Sequence, residues 1–410
     1  MNNPLQDQII PTPIDIIVPV FKGLEQTQRC LESVLASPNI TPTELVVVND
    51  DSPEPEIRAW LQRLAADDSI TLLVNQTNLG FVRSVNRAMM LHPERDAILL
   101  NSDCEVSGNW VDRLAACIAT HPAAATATPL SNNATICSYP HIGRENDLPP
   151  GWSLAELDQL CAKINTGKHV EIPTAVGSCM YLKRHCWTEL AGFDAETFGR
   201  GYGEECDYSM RADAMGWSHL LCADVFVFHE GSVSFGDTRL QRVEHAEQII
   251  AQKHPDYGPK VAAFVRADPA IDIRTGLSMA RARRSTNDAG VVVAELKMDL
   301  VRCHEQFTEQ VDHLNEEAAA RERALAFLDN ALNEARTRGN DLDEALAKAD
   351  RFVKDREADI QSVSANLELA IQGREQALAR LLDLEARFNR TLDQRLRSIA
   401  RKTLKFLRLK

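Results

Sequence analysis

Four short apolar runs, each ending in polar residues, decide what the first part of this chain can become. They are IDIIVPV (14–20), ELVVVND (44–50), ITLLVN (70–75) and DAILLNSD (96–103). Runs of this length without polar alternation are buried on both faces, as parallel strands are inside an α/β sheet. The intervening segments 25–36, 55–66 and 81–91 have helical character. The order is therefore β-α-β-α-β-α-β, and a doubly wound, Rossmann-like, mostly parallel sheet is expected. Ligands bind such sheets outside the carboxyl ends of the strands. Polar residues collect there: Asn49, Asp50, Asp51 and Ser52 after the second run, Asn78 and Gly80 after the third, Asn101, Ser102 and Asp103 after the fourth.

The chain changes character between residues 266 and 290. Proline is absent after Gly276, and Ala, Leu, Glu, Arg and Asp dominate. With 410 residues, two units are expected: a catalytic domain over 1–270, a linker over 271–290 and a helical tail over 291–410. The tail repeats every seven residues. One series passes through Leu314, Arg321, Leu328, Ala349, Arg356 and Val363, the other through Val311, Leu325, Leu332, Gly339, Val353, Ile360, Leu367 and Arg374. This is a coiled-coil seam interrupted by arginines and Gly339, and it predicts a homo-oligomer. The alternative is a long amphipathic helix that folds back on the first domain. The last segment, LDQRLRSIARKTLKFLRLK, has no acid after Asp393. It reads equally as a basic amphipathic end for peripheral contact with anionic lipid and as an ordinary helix end whose cations complement the helix dipole.

Charge narrows the choice of partner. The chain has 59 acidic and 45 basic side chains, a formal charge of −14, so as a whole it has no attraction for nucleic acid. The ten cysteines include no C-x-x-C pair, and a chain of this size needs no disulfide staples, which fits a reducing cytoplasm. The first residues, MNNPLQDQIIPTP, have no basic region before an apolar one, and the apolar stretch that follows carries Asp15. No signal peptide and no membrane span are expected.

Three clusters place carboxylates or imidazole where no core role is apparent: Asp103; the run Gly203, Glu204, Glu205, Cys206, Asp207; and His229, Glu230, Gly231, Ser232. Singly, each has an ordinary explanation as a helix cap, a solvated pair or a structural histidine. Together they are hard-oxygen and imidazole donors suited to a divalent cation, manganese or magnesium, of the kind that neutralises a nucleotide diphosphate.

Seven blocks in order carry a more specific likeness: IDIIVPVFKG (14–23), ELVVVNDDSPEPEI (44–57), NLGFVRSVNRAM (78–89), NSDCEVSGNWVDRL (101–114), GSCMYLKRHCWTELAGFD (177–194), FGRGYGEECDYSMRADAMGW (198–217) and VFVFHEGSVSFG (225–236). Over residues 14 to 240 the chain resembles family-2 glycosyltransferases, of the rhamnosyltransferase-like type that builds O-antigen. The resemblance implies a GT-A nucleotide-diphospho-sugar transferase fold, inversion at the anomeric carbon, and a glycan or lipid-linked acceptor at the cytoplasmic face of the membrane. It implies that Pro19 and Val20 border the nucleoside, that Asp50 accepts hydrogen bonds from base or ribose, and that Asn78 and Gly80 form the turn beside it. The N-S-D segment, Asn101, Ser102 and Asp103, falls on the family's D-x-D motif. Asp103 is then the metal ligand, Asn101 replaces the first acid, and His229 is a further ligand. Glu204 and Glu205 fall on the family's acidic pair, with Glu205 at the base position and Asp207 its rival, and Gly177 faces the acceptor. Asn49, Asn101 and Glu205 depart from the family pattern. They leave open a second reading, a catalytically weak or inactive transferase-like domain on a coiled-coil scaffold.

Overall fold

The computed structural model describes residues 12–199, 201–231, 239–337 and 342–407. Two compact units divide the chain, Met1–Glu295 and Leu296–Lys410.

The first unit opens with β1 (Ile14–Val20), α1 (Leu24–Leu35), β2 (Thr43–Asn49), α2 (Pro55–Ala66), β3 (Thr71–Val74), α3 (Phe81–Ala88) and β4 (Ala97–Leu100). The four strands lie parallel in the order β3-β2-β1-β4. Successive side chains of a strand point to opposite faces, and both faces are buried in β1, β4 and most of β2, whereas the edge strand β3, expected to be buried, is only half-buried and exposes Val74. Ile14, Ile16, Val18 and Val20 enter one core with Val47, whereas Ile17, Val46 and Val48 enter the other.

Next come β5 (Cys104–Glu105), α4 (Trp110–Ala119), β6 (Ala124–Ser131), α5 (Leu154–Ile164), β7 (His169–Ile172), β8 (Cys179–Leu182), α6 (Arg184–Glu189), α7 (Glu204–Ala214) and β9 (Ser218–His229). Antiparallel pairing enters with β8, which lies between β4 and β6. β9 runs parallel to β6. The two-residue β5 pairs antiparallel with the end of β9, matching Cys104 to His229 and Glu105 to Phe228. Residues more than 120 positions apart in sequence therefore meet at one edge of the sheet.

α8 (Arg239–Lys253), α9 (Tyr257–Ala267) and α10 (Ile271–Ala282) complete the unit. Residues 271–290, expected as a linker, are instead α10 and the start of α11 (Thr286–Thr337). Ile273 and Leu277 share a core with Leu157 and Cys161 of α5. The fully buried Arg281 is forked onto Glu295 through two contacts of 3.0 Å and donates to the Tyr139 hydroxyl at 2.9 Å. The loss of proline marks where the chain turns helical, but the folded core continues through Glu295.

The second unit contains the remainder of α11 together with α12 (Leu342–Leu407). Half-burial between 311 and 332 falls on Val311, Leu314, Ala318, Arg321, Leu325, Leu328 and Leu332, with Ala319 beside them; between 346 and 370 it falls on Leu346, Ala349, Val353, Ile360, Val363, Leu367 and Ala370. These are the heptad positions read from the sequence. Arg356 is exposed, and Gly339 lies outside the described residues. Arg321 Nη1 reaches the Asp359 carbonyl oxygen at 3.4 Å, a direct link from α11 to α12. No described helix is long and apolar enough to cross a membrane.

Candidate active site

The turn after β4 is built on backbone contacts to the strand beside it. Asn101 N–H donates to the Ser178 carbonyl at 2.9 Å, and Cys104 N–H closes back on the Asn101 carbonyl at 3.0 Å. Ser102 is buried, and the buried Asn101 Oδ1 has no hydrogen-bond partner among the described residues. An oxygen left in that condition costs free energy unless something else meets it.

The β5–β9 ladder brings Asp103 to His229. Glu230 N–H donates to the Asp103 carbonyl at 3.0 Å, and His229 Nε2 lies 3.5 Å from Asp103 Oδ1. His229 Nδ1 is 2.7 Å from the Asn133 carbonyl oxygen. A carbonyl only accepts, so Nδ1 carries the proton and Nε2 is the nitrogen that faces the carboxylate. Ligand atoms of Asp103, Cys104 and His229 lie within 4.8 Å of one another. Burial, and then the Asp103 charge, push the Cys104 thiol well above its usual range, and its Sγ lies 3.3 Å from the Ser178 carbonyl. Cys104 is thus held as a thiol, which leaves Asp103 and His229 as oxygen and imidazole donors of the kind that fit a divalent cation. Ser232, the last residue of this cluster, lies outside the described residues.

The two acids of the turn after β2 are engaged differently. The two Asp50 carboxylate oxygens accept from Leu79 N–H and Gly80 N–H, both at 2.8 Å, and from Asn75 Nδ2 at 2.7 Å. Asp50 therefore holds the 75–80 turn, and its oxygens are already committed within the protein. Gly80, at φ 85°, caps α3 with the N–H that Asp50 receives, and Asn49 Oδ1 accepts from Ser52 N–H at 2.9 Å. The acid of this turn that makes no hydrogen bond among the described residues is Asp51. It is half-buried and sits in the left-handed region at φ 52°, a costly backbone state for a residue with a side chain. Pro19 and Asn78 are half-buried and Val20 is buried, and the Val20 carbonyl accepts from Asp50 N–H at 2.9 Å.

The first turn of α7 separates the rival bases. Asp207 is fully enclosed by Arg211 Nε at 2.7 Å, Lys253 Nζ at 2.9 Å and His254 Nε2 at 2.9 Å. Burial works against ionisation, yet hydrogen bonds from His254, Lys253 and Arg211 hold this carboxyl below its ordinary range. It anchors the end of α8. Glu204 is buried and Glu205 half-buried, and the Oε2 atom of each is buried without a partner among the described residues. Burial raises Glu205, and burial followed by the Glu205 charge raises Glu204 well above the usual carboxylate range. The Glu205 stem lies against Gly177, where an added Cβ would meet its Cγ and Cδ at 3.7 Å. Since Ser178 next to it bonds Asn101, Glu205 and the Asp103 turn flank the same short stretch before β8. Arg200, in the glycine-rich stretch ahead of α7, lies outside the described residues. Trp187 packs in the core against Phe193, with ring centroids 5.0 Å apart.

Sequence reasoning missed Asn132 and Asn133, which meet His229 from the end of β6. Their signal is the one that worked elsewhere, polar residues after a buried strand. It was hidden because β6 is AATATPLS, a run of small residues with a proline.

Residues 15–185 match the family described as Glycosyl transferase family 2. A putative polypeptide N-acetylgalactosaminyltransferase 13 of Drosophila melanogaster is 25% identical over 211 residues, 46% of this chain and 37% of that protein. An uncharacterized protein of Mycobacterium bovis is 25% identical over 104 residues, 24% of this chain and 40% of that protein. The chain thus spans well under half the length of these curated relatives. Among solved structures, GalNAc-T7 with UDP, GalNAc and Mn2+ is similar at a TM-score of 0.45 and 16% identity, covering 66% of this chain and 58% of that one. The mannosyltransferase PcManGT from Pyrobaculum calidifontis, with GDP-Man and Mn2+, is similar at 0.44 and 16% identity, covering 72% and 83%.

Proposed function

From the family 2 glycosyl transferase domain of GT-A fold that its first unit carries, we propose that this chain is an inverting, metal-dependent enzyme that moves a sugar from a nucleotide-diphospho-sugar to a glycan or lipid-linked acceptor. The observation that carries this reading is the pairing of two unlike groups around Gly177 and Ser178. One is the Asp103–His229 pair on the turn that Asn101 N–H ties to Ser178, and the other is Glu205, whose stem lies against Gly177 and whose buried Oε2 has no partner among the described residues.

Asp103 and His229 would hold the divalent cation, with Asn101 as the neutral third donor. When bound, such a cation neutralises the charge that develops on the leaving diphosphate. Glu205 takes the proton of the acceptor hydroxyl as that oxygen attacks the anomeric carbon and the bond to the diphosphate breaks on the opposite face. Its raised proton affinity suits a base working near neutrality. Asp207 fixes the frame of α7 and α8 rather than taking part. Around the nucleoside, Pro19, Val20 and the Asn78–Gly80 turn form the walls, and Asp51, not Asp50, supplies the carboxylate toward base or ribose.

For the tail, the heptad seam supports a coiled coil, and the Arg321 to Asp359 contact favours pairing within one chain. Light scattering of the full chain should give a monomer mass. A dimer that becomes monomeric on deletion of 296–410 would restore the self-association expected from the heptads alone. Peripheral membrane contact through the basic end is tested by sedimentation with anionic vesicles, with and without residues 393–410.

The central test is a thermal-shift series of the full chain against UDP-, GDP-, dTDP- and CMP-sugars, with and without manganese. A ligand that binds only the native state raises the melting temperature by mass action. A shift for one nucleotide that requires the metal is expected. Shifts that ignore the metal would remove the cation from the mechanism, and no shift with any donor would favour the inactive scaffold.

A further inference from the structure

We propose that Asn132 and the backbone carbonyl of Asn133 are positioning groups for His229, fixing which imidazole nitrogen is presented to Asp103. The idea rests on the reading of His229 as a metal ligand, but its geometry stands apart from that reading. His229 ends β9, where its peptide has no further strand partner on the β6 side, and the Asn132 side chain takes that place. Asn132 Oδ1 accepts from His229 N–H at 2.7 Å, and Asn132 Nδ2 donates to the His229 carbonyl at 2.9 Å. One amide clasps both polar groups of the residue, as a neighbouring strand would. The Asn133 carbonyl then takes Nδ1–H at 2.7 Å, which aims Nε2 at Asp103.

The clasp is held from behind. Asn132 is buried at 4% exposure, its Nδ2 also donates to the Asn146 carbonyl at 2.9 Å, and its own carbonyl accepts from Asn146 N–H and Nδ2, both at 3.0 Å. Asn133 N–H is tied to Ser131 Oγ at 3.1 Å. Gly231, two residues beyond His229, is at φ 76°, and a Cβ there would lie 2.5 Å from Asn133 Nδ2. The chain leaves that position bare, and Asn133 occupies the space. Hydrogen bonds of this kind to the far nitrogen of a ligating histidine set its tautomer and orientation.

A merely structural Asn132 would lower the melting temperature when replaced and leave the imidazole as it was. The experiment therefore compares the full chain with Asn132→Ala, Asn132→Asp and His229→Ala well below their melting temperatures. It measures manganese affinity by the paramagnetic resonance of free Mn2+, and His229 tautomer by long-range nitrogen–proton correlation in histidine-labelled protein. Asn132→Asp keeps the acceptor for His229 N–H and loses the donor, so it reports should the alanine variant fail to fold. The expected result is manganese binding about 10- to 100-fold weaker in the Asn132 variants, with the His229 ring shifted from a pure Nδ1–H form to a mixture. Folded Asn132 variants that bind manganese within a factor of about three of the parent, with an unchanged ring, overturn the proposal. If His229→Ala itself leaves manganese affinity unchanged, the metal reading of the site falls, and the tautomer measurement still decides whether Asn132 positions the ring.

Discussion

The sheet carries a histidine with carboxylates at each end, and only one of the two clusters is left wanting. At the carboxyl ends of the strands, Asp103, Cys104 and His229 gather; at the amino ends, Asp15, Glu44 and His92 do the same, and both sets have ligand atoms within 4.8 Å. The amino-end cluster is already complete. Arg95 Nη1 lies 3.1 Å from Asp15 and 2.6 Å from Glu44, His92 Nδ1 lies 2.9 Å from Asp15, and Thr71 donates to Glu44 at 2.7 Å. The other end has no guanidinium on Asp103 among the described residues, and the Asn101 oxygen beside it is orphaned. Donor identity and spacing therefore do not distinguish a binding site from a structural network. What distinguishes them is whether the protein has already supplied the countercharge.

The largest effects should separate the two ends. Asp103→Ala should leave the melting temperature nearly unchanged and reduce transfer by about 10³-fold or more, the loss of several kcal/mol of charge stabilisation. Asp15→Ala removes the fully buried carboxylate of an ionic network whose other members, Arg95, His92 and Glu44, are partly exposed, and should lower stability, with kcat per folded molecule retained. Denaturant titration and steady-state transfer on the same preparations check both. Stability loss for Asp103→Ala with intact transfer would reverse the assignment of the two clusters.

This difference also marks what could be read in the sequence. β1, β2, β4 and the heptad seam were legible because burial there is set locally: IDIIVPV is buried along almost its whole length, and every third or fourth residue from Val311 to Leu332 is half-buried. Asp103 and His229 were legible as donors, though the two-residue β5 that joins them is too short to leave a pattern. Asp50 and Asp207 could not be judged from sequence. The groups that use up Asp50 lie 25 to 30 residues away, and two of the three partners of Asp207 are Lys253 and His254, 46 and 47 residues on. Whether a carboxylate is spent is a fact of tertiary structure. The same holds for 271–290, where the fold encloses two of the four arginines, Arg274 against Asp268 and Arg281 against Glu295.

A second contrast, within one helical turn, sharpens the rule. Glu205→Gln should lower kcat by at least about 10²-fold while donor affinity is kept. The pH profile should agree with it in sign. Burial raises the Glu205 pKa, so the base protonates and transfer fails as pH falls through a value above the ordinary carboxylate pKa of about 4.3. Asp207→Asn should leave that acid limb where it is and lower stability, because it disturbs a carboxylate held by Arg211, Lys253 and His254. An acid limb that moves with Asp207→Asn and not with Glu205→Gln would exchange their roles.

The smallest effect is the most exacting test of saturation, because it concerns an acid that touches the proposed metal site. Glu230 follows His229 directly and bonds Asp103 through its backbone. Its carboxylate, however, is engaged by Arg29 Nη2 and by Gln26 Nε2, the latter at 3.0 Å. By proximity it should be a third ligand, and by saturation it should be silent. These groups are half-exposed, with 42% and 36% of the Arg29 and Glu230 side chains open to solvent, so the pair is worth at most about 1 kcal/mol. Glu230→Gln should therefore change stability by no more than that and leave manganese affinity within a factor of about five, the equivalent of 1 kcal/mol. A loss of manganese binding comparable to that of Asp103→Ala would show that an exposed ion pair does not spend a carboxylate as a buried one does. The rule that separates the two ends of the sheet would then hold only where water is excluded.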